Sequence, residues 1–255
     1  MTAPTSSLQT LPGEPVDDPQ RWLVNTPLLE IQHPRIRLLG LRLTQLRHQA
    51  TDKAMACFQH VRALPFGCLG DGTGVPALTV LQRGRGDCHT KSTLLVALLR
   101  SVGIPSRLRF FTMPSGFLHG IIDLEGLPIQ HCCVEMLLDR RWIAVDTHVV
   151  DQPLAKVAQT RLAAEGRRVG YGMHVAGETD WDGRGQSFGQ FSASDPDSLP
   201  TEDWGAFDDP YQFYSSVSAV QERLGLAARL RWTVGARLVN QRVAALRAEP
   251  VPVTS

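Results

Sequence analysis

The chain has 255 residues, of which 43% are hydrophobic and 20% charged, and its formal net charge is +1. This composition is typical of a globular protein with a substantial core, and the net charge gives no reason to expect a nucleic-acid or membrane partner. The N-terminal residues lack the basic start and apolar run of a signal peptide, so a cytoplasmic location is expected. Five cysteines, an odd number, favour free thiols over a disulfide framework.

The first part of the chain is predicted to be helical and to follow a flexible tail. Residues 1–20 are rich in Ser, Thr, Pro and Asp, which is typical of such a tail, and residues 21–248 are expected to form a single domain. Apolar side chains at helical spacing predict a long helical region over residues 34–64, with a break near residues 48–52. The glycine-rich residues 67–86 are expected to form a loop with a short apolar turn.

A helix that begins at a cysteine is the most informative feature of the sequence. Asp87 is a suitable N-cap for a helix starting at Cys88, and Gly103 is suited to end it. Leucines at positions 94, 95, 98 and 99 have helical spacing, which predicts a buried helix. N–H groups at its start favour a thiolate, but free cysteines are also common packing residues. The helix alone therefore leaves a reactive and a structural Cys88 equally open.

A β-hairpin is predicted downstream of this helix. Its strands span residues 131–138 and 141–147, and Asp139–Arg140 form a two-residue turn between them. In this register alternate side chains share one face, on which His131 and Asp146 are diagonal neighbours. The complete predicted face comprises His131, Cys133, Glu135, Asp146 and His148.

The remainder of the chain is predicted to contain a covering segment and C-terminal helices. Residues 166–209 are polar and rich in Gly, Asp and Ser, with isolated aromatic residues. A run of this length inside a compact domain is more often a functional covering loop than a linker. Residues 215–248 return to helical spacing, with a break expected at Gly225 or Gly235. Their arginines are spread around the helix, which indicates a solvated surface rather than a nucleic-acid site.

Cysteine, histidine and aspartate in this order can form a nucleophilic triad. A thiol needs a base or an imidazolium partner to be nucleophilic at neutral pH, and the pKa of histidine suits this task. An aspartate can fix the imidazole tautomer and stabilise its charged form. N–H groups at the start of the helix can stabilise the oxyanion of a tetrahedral intermediate. Cys88, His131 and Asp146 are therefore the candidate catalytic residues.

Three motifs carry a resemblance to a known family. Gly86-Asp87-Cys88 with the leucine-rich helix resembles the nucleophile helix of the transglutaminase-like superfamily, whose core is related to papain-type cysteine proteases. Residues 131–135 (HCCVE) resemble its histidine strand, and residues 142–146 (WIAVD) its aspartate strand. The resemblance covers about residues 54–151 and is to bacterial members. It implies an α+β fold in which the nucleophile helix packs on an antiparallel sheet, with N- and C-terminal helical extensions.

The resemblance also implies the role of each triad member. Cys88 is the expected nucleophile, His131 the general base and Asp146 the orienting acid. Two positions depart from the family pattern, since Cys133 replaces the usual aromatic residue and Thr147-His148 replace the common proline. Both departures indicate a pocket for something other than a long protein chain. The calcium sites of the animal enzymes are not recognisable.

Five further residues are candidates for supporting or substrate-binding roles. Gln82, in the loop before Cys88, can donate a hydrogen bond to an oxyanion. Glu135 can equally well support the site or form a structural salt bridge. His119 is a rival for the role of base. Adjacent cysteines on a strand point to opposite faces and no Cys-x-x-Cys spacing occurs, so neither a metal site nor a cofactor is predicted. The supporting candidates are Gln82, His89, Cys133, Glu135 and His148.

The expected function is acyl transfer through a thioester at Cys88, after attack on an amide or activated acyl carbonyl. Transfer to water is hydrolysis and transfer to an amine forms an amide, and the sequence does not distinguish the two. One alternative is a biosynthetic amide synthase with a thioester or carrier-bound acyl donor, and another is a non-catalytic binding module. The expected partner is a small-molecule or peptide acyl substrate, without nucleic acid or membrane, and the oligomeric state stays open.

Overall fold

The structure is a computed structural model that describes residues 18–249 apart from Asp71 and Glu125. Most of the predicted tail, residues 1–17, therefore lies outside the described residues. A 3-10 helix over Pro19–Leu23 includes the last two positions of that predicted tail. Its proline suits the first helical turn, where a missing N–H costs nothing.

Three helices precede the predicted cysteine helix. α1 (Pro34–Thr44) begins at the first residue of the predicted helical region, and α2 (Ala50–Arg62) follows after a break close to the predicted one. α3 (Ala77–Arg83) lies where only an apolar turn was predicted, so the loop prediction for residues 67–86 is wrong in this part. Gly84 ends α3 with φ of +62°, a left-handed conformation that glycine adopts without strain.

The cysteine helix, α4 (Cys88–Ser101), begins at the predicted residue and is the centre of the core. Positions 89–100 are all buried, between α1, α2 and α3 and the strands behind them. Buried polar groups need partners, and Lys91 Nζ donates to the carbonyl oxygens of Leu64 at 2.8 Å and Val149 at 2.9 Å. Packing on all sides therefore fixes the position of its first residue.

Most of the strands belong to one antiparallel sheet packed against α4. In chain order the strands are β1 (Ser106–Met113), β2 (Ile129–Leu138), β3 (Arg141–Val145), β4 (Val169–Gly170), β5 (Met173–His174) and β6 (Glu202–Phe207). The main sheet has the order β3-β2-β1-β6, and β4 and β5 form a separate pair. β6 lies within the predicted covering segment, so this segment is not a loop throughout but supplies an edge strand that pairs with β1.

The hairpin of β2 and β3 has the predicted register and turn length. Leu138 pairs with Arg141, so the turn has two residues. Both turn residues have positive φ, +47° and +61°, as a type I′ turn requires, although neither is glycine. The ladder ends at Val145, two residues before the predicted end. His148 therefore lies beyond the paired strands, and its predicted place on the hairpin face is wrong.

After the hairpin the chain forms α5 (Gln152–Glu165), α6 (Pro210–Ser216) and α7 (Leu226–Arg247). α7 starts after the predicted break at Gly225 and passes Gly235 without interruption. None of the helices within the described ranges has the length and apolar character needed to cross a membrane.

These elements confirm the predicted α+β fold, with the cysteine helix packed on an antiparallel sheet. One apolar cluster fills the space between α4 and the sheet, and a second joins α5 to α7. Cys88 packs against both clusters, so the first turn of α4 lies where they meet. The fold thereby places Cys88 between the two clusters, next to the C-terminal part of the chain.

Candidate active site

The first turn of α4 fixes the backbone of Cys88. The Asp87 carboxylate accepts hydrogen bonds from the Thr90 N–H at 3.0 Å and hydroxyl at 2.9 Å, and the Asp87 N–H donates to the same hydroxyl at 2.8 Å. This reciprocal arrangement is a capping box. Gly86 allows the turn to close, because a Cβ there would lie 2.6 Å from Thr90 Oγ1. Cys88 is thereby held as the first helical residue, among N–H groups that favour negative charge.

A buried hydrogen bond joins His131 on β2 to Asp146, which directly follows β3. His131 Nε2 lies 3.1 Å from Asp146 Oδ2, and both side chains are fully buried. The other carboxylate oxygen accepts a 2.7 Å hydrogen bond from the Gly189 N–H, and the Asp146 N–H donates to Ser187 O at 2.9 Å. The predicted covering segment therefore holds the carboxylate that orients the imidazole.

The imidazole of His131 is placed to carry a positive charge. Burial disfavours the charged ring, but the bond to Asp146 and the neighbouring Cys88 outweigh this effect and raise the pKa of His131 to about 9. Asp146 engages Nε2, so Nδ1 is the nitrogen available to the thiol. Nδ1 is buried and has no hydrogen-bond partner of good geometry among the described residues. The next residue on β2, Cys132, donates to the Cys88 carbonyl oxygen at 3.3 Å, which places this part of β2 beside the first turn of α4. Cys88 and His131 also shift each other's pKa.

Two further side chains contact Cys88. His89 Nδ1 lies 3.2 Å from the Cys88 sulfur, and His89 Nε2 lies 3.2 Å from the hydroxyl of Tyr214 on α6. The Cys132 thiol donates to the Cys88 carbonyl oxygen at 3.3 Å. The Cys132 thiol and the two imidazoles hold the pKa of Cys88 well below its usual value, against the opposing effect of burial. A Cys88 thiolate beside a protonated His131 is therefore the favoured pair at neutral pH.

The second thiol beside Cys88 belongs to Cys132 and not to Cys133. Cys132 packs in the cluster between α4 and the sheet, whereas Cys133 packs with Phe111 and Phe117 on the opposite face. Cys133 was expected to share the face of His131 as a candidate for a supporting role, but the thiol that contacts Cys88 is that of Cys132, because α4 covers the sheet face that carries Cys132. Burial raises the pKa of Cys133 well above its usual value, which makes it an inert packing residue.

Three other predicted or rival residues lie away from the thiol. Gln82 is exposed on α3 and does not border the cavity at Cys88, and His119 is also exposed. Glu135 forms ion pairs with Arg107 at 2.5 Å and Arg109 at 3.4 Å on β1. These contacts favour the structural salt bridge over the supporting role for Glu135.

His148 contributes to the packing behind the site. Its Nε2 lies 2.9 Å from Ser92 Oγ on α4, and its ring is fully buried. Burial and the neighbouring Lys91 hold its pKa well below the usual value, so the ring is neutral. The structure thus brings His89 to the thiol and leaves His148 one turn further along α4.

Sequence reasoning missed the contributions of Gly189, Gln190 and Tyr214. Gly189 acts through a backbone N–H, which leaves no side-chain signal in a sequence. Gln190 is a polar residue between Phe188 and Phe191, in a segment without regular spacing. Tyr214 was detectable in part, since Asp209–Pro210 is a good start signal for the helix that carries it.

A cavity of about 440 Å³ opens at the thiol, and its lining includes Cys88, His89, Gln190 and Tyr214. A larger depression of about 730 Å³ lies between α1 and α2, away from these residues. Of these two, the cavity at Cys88 is therefore the one that gives access to the candidate nucleophile. No group of three or more His, Cys, Asp or Glu side chains in the described ranges is placed to hold a metal ion.

Comparisons with known proteins agree with this architecture. Residues 39–147 match the model of the transglutaminase-like superfamily, a range that contains Cys88, His131 and Asp146. Residues 39–147 therefore form a transglutaminase-like domain.

Two solved structures are similar to part of the chain. One is a provisionally named cysteine protease from Cytophaga hutchinsonii, with 20% identity, a TM-score of 0.41, and coverage of 54% of this chain and 46% of that one. The other is a provisionally named protease from Parabacteroides distasonis, with 19% identity, a TM-score of 0.35, and coverage of 49% and 24%. The matched part spans less than half the length of either protein. No match was found among curated proteins.

Proposed function

We propose that this protein is a cysteine acyltransferase or hydrolase in which Cys88 forms a thioester with the acyl group of its substrate. The observation that carries this proposal is the placement of His131 between Asp146, 3.1 Å from Nε2, and the Cys88 thiol. A packing cysteine has no need of a buried imidazole with a raised pKa beside it. The lowered pKa of Cys88 supports the same role, because the thiolate is the nucleophilic form.

The proposed reaction has two halves. The Cys88 thiolate attacks the acyl carbonyl carbon, and N–H groups in the first turn of α4 stabilise the oxyanion. When the tetrahedral intermediate collapses, protonated His131 gives its proton to the leaving group, and the acyl group remains on sulfur. His131 then takes a proton from water or an amine as that acceptor attacks the thioester. Cys88 leaves as a thiolate, and the resting ion pair is restored.

The acceptor decides the name of the activity. Water as acceptor makes the protein a hydrolase of amides or activated acyl groups. An amine as acceptor makes it an amide synthase, which can take a thioester or carrier-bound donor. The triad chemistry is common to both outcomes, so product analysis must distinguish them.

Intact-mass analysis of the protein with simple acyl thioesters tests the proposal. We expect an adduct of the acyl mass on wild-type protein, none on Cys88→Ala, and formation at least about 100-fold slower on His131→Ala, because proton transfer is lost. Adding a primary amine or only water then identifies the acceptor from the released product. The absence of an adduct from all donors would contradict the proposal and favour a non-catalytic binding module.

A further inference from the structure

The cavity at Cys88 has apolar walls that come from two parts of the chain. Phe117, Ile121 and Ile122 follow β1 and form one wall, and Val220 and Val239 from the C-terminal region form the other. Ile121 and Val239 belong to the cluster that joins α5 to α7, and Phe117 belongs to the cluster behind the sheet. Since these side chains are packed into the core, the walls are formed before any ligand binds.

Apart from Cys88 itself, the charged side chains that line this cavity are either paired already or exposed to solvent. Asp87, which lines the cavity, accepts hydrogen bonds from Thr90 in the helix cap. Glu222 and Arg231 are exposed to solvent. A charged or strongly polar group would therefore lose water on entering without gaining a buried partner. The cavity favours an apolar occupant.

Gln190 adds one polar contact to these apolar walls. Its side chain is only 3% exposed, and its Oε1 atom has no hydrogen-bond partner among the described residues. A buried amide oxygen without a donor is costly, so such atoms in native proteins usually meet a ligand or a water molecule. The residue before it, Gly189, holds the Asp146 carboxylate, so Gln190 is fixed beside the triad.

We infer that this cavity binds the acyl group of the substrate, and that this group has an apolar body and one N–H or O–H donor for Gln190. An N-acylated apolar amino acid, attached to the leaving group through its carboxyl carbon, has this chemistry. A volume of about 440 Å³ is near the lower end of the usual range for small-molecule sites. The inference rests on the proposed acyl transfer at Cys88 and names its substrate class.

The size and polarity of the acyl group can be tested with N-acetylcysteamine thioesters. We expect hexanoyl thioester to acylate Cys88 at least about tenfold faster than acetyl thioester, since each buried methylene contributes up to about fourfold. Ile122→Trp narrows the cavity and is expected to reduce the hexanoyl rate about tenfold more than the acetyl rate. Leu38→Trp is the matched control, because Leu38 is 51% exposed on α1 and does not line the cavity.

The donor for Gln190 can be tested with N-acetyl-phenylalanyl thioester and its N-methyl analogue. Wild-type protein is expected to prefer the N–H compound at least about fivefold, because the analogue leaves Gln190 unpaired. Gln190→Met has a similar size without the acceptor and is expected to bring this ratio close to one. The ratio compares two substrates on the same variant, so it does not depend on the folded fraction.

These experiments distinguish a failure of the proposed acyl transfer from a failure of the proposed apolar acyl site. If no thioester acylates Cys88, the proposed acyl transfer is wrong. If acetyl and hexanoyl groups are transferred at equal rates, or if Ile122→Trp slows both equally, acyl transfer stands and the apolar acyl site is wrong. If Gln190→Met keeps the wild-type preference for the N–H compound, Gln190 is not the acceptor.

Discussion

Cys88 lies between a thiol on one side and two imidazoles on the other. On one side the Cys132 thiol donates to the Cys88 carbonyl oxygen and lowers the pKa of the Cys88 thiol. On the other side stand two imidazoles, of which His131 is bound to Asp146 and His89 to Tyr214. The lowered pKa of Cys88 is therefore a property of this group of side chains and not of the cysteine alone.

The dependence of acylation on pH follows from the two shifted pKa values. The pKa of Cys88 is held well below its usual value, which favours the thiolate, and the pKa of His131 is raised to about 9. Acylation needs thiolate and imidazolium together, so its rate is expected to be high at neutral pH and to fall as pH rises through about 9. Alkylation by iodoacetamide needs only the thiolate, and we expect it not to fall above pH 9. Parallel loss of both rates above pH 9 would contradict the role of His131 as the acid.

Substitutions of Cys132 and Cys133 test whether the Cys132 thiol lowers the pKa of Cys88. Cys132→Ala removes the thiol that lowers the pKa of Cys88, so the pH at which Cys88 becomes reactive is expected to rise. Cys132→Ser keeps a donor and is expected to stay near the wild-type value. Cys133→Ala is the control, since this residue packs on the far face of the sheet. A shift in Cys133→Ala as large as in Cys132→Ala would contradict the assignment.

At the scale of elements, residues 187–190 are part of the candidate site rather than a cover over it. Ser187 N–H donates to Ala144 O at 3.0 Å and accepts through its carbonyl from Asp146 at 2.9 Å, which extends the edge of the sheet beyond β3. Gly177 approaches this stretch closely, because a Cβ there would lie 2.2 Å from Gly189 O. The position of the Asp146 carboxylate thus depends on a contact made outside the matched family range.

A glycine substitution tests this dependence. Gly177→Ala is expected to displace Gly189 from Asp146 and to slow acylation of Cys88 about tenfold or more, because loss of orientation is costly in catalysis. Gly185→Ala is the control, since no atom lies within 4 Å of a Cβ built there. Acylation rates and far-ultraviolet circular dichroism on both variants separate this effect from unfolding. Equal rates in wild-type protein and Gly177→Ala would refute the dependence.

The sequence predicted the elements whose signals are local and missed those set by tertiary contacts. α4 was predictable from its cap and leucine spacing, and the β2–β3 register from its two-residue turn. β6 was missed because its sequence, EDWGAF, has no apolar alternation and is a strand through pairing with β1. Similarly, alternation predicted the two faces of β2. It did not predict that Cys132 rather than Cys133 contacts Cys88, because this contact depends on where α4 packs.

At the scale of the whole molecule, α7 is tied to the loop that leads to the nucleophile. The Asn240 amide accepts from the Cys68 N–H at 2.8 Å and donates to the Cys68 carbonyl at 3.0 Å. Arg247 pairs with Asp151 at 2.5 Å, and Asp151 also accepts from the Phe66 N–H at 2.7 Å. These contacts support the proposal that residues 21–248 form a single cooperative domain.

Thermal unfolding tests the proposal of a single domain. Asn240→Ala removes two hydrogen bonds and is expected to reduce the free energy of unfolding by about 1–3 kcal/mol while a single transition is kept. Gln241→Ala, at the exposed next position of α7, is expected to have little effect. Two separate calorimetric transitions, with only one shifted in Asn240→Ala, would contradict the single domain.

The most direct test of the central claim, that Cys88 is an activated nucleophile paired with His131, is the rate at which each cysteine is labelled by iodoacetamide. Burial raises the pKa of Cys57 to about 12 and the pKa values of Cys132 and Cys133 well above the usual value, so these thiols are expected to react slowly. If Cys88 is such a nucleophile, we expect it to be labelled first at neutral pH and His131→Ala to slow this reaction markedly. Equal, slow labelling of all five cysteines in the wild-type protein would contradict it.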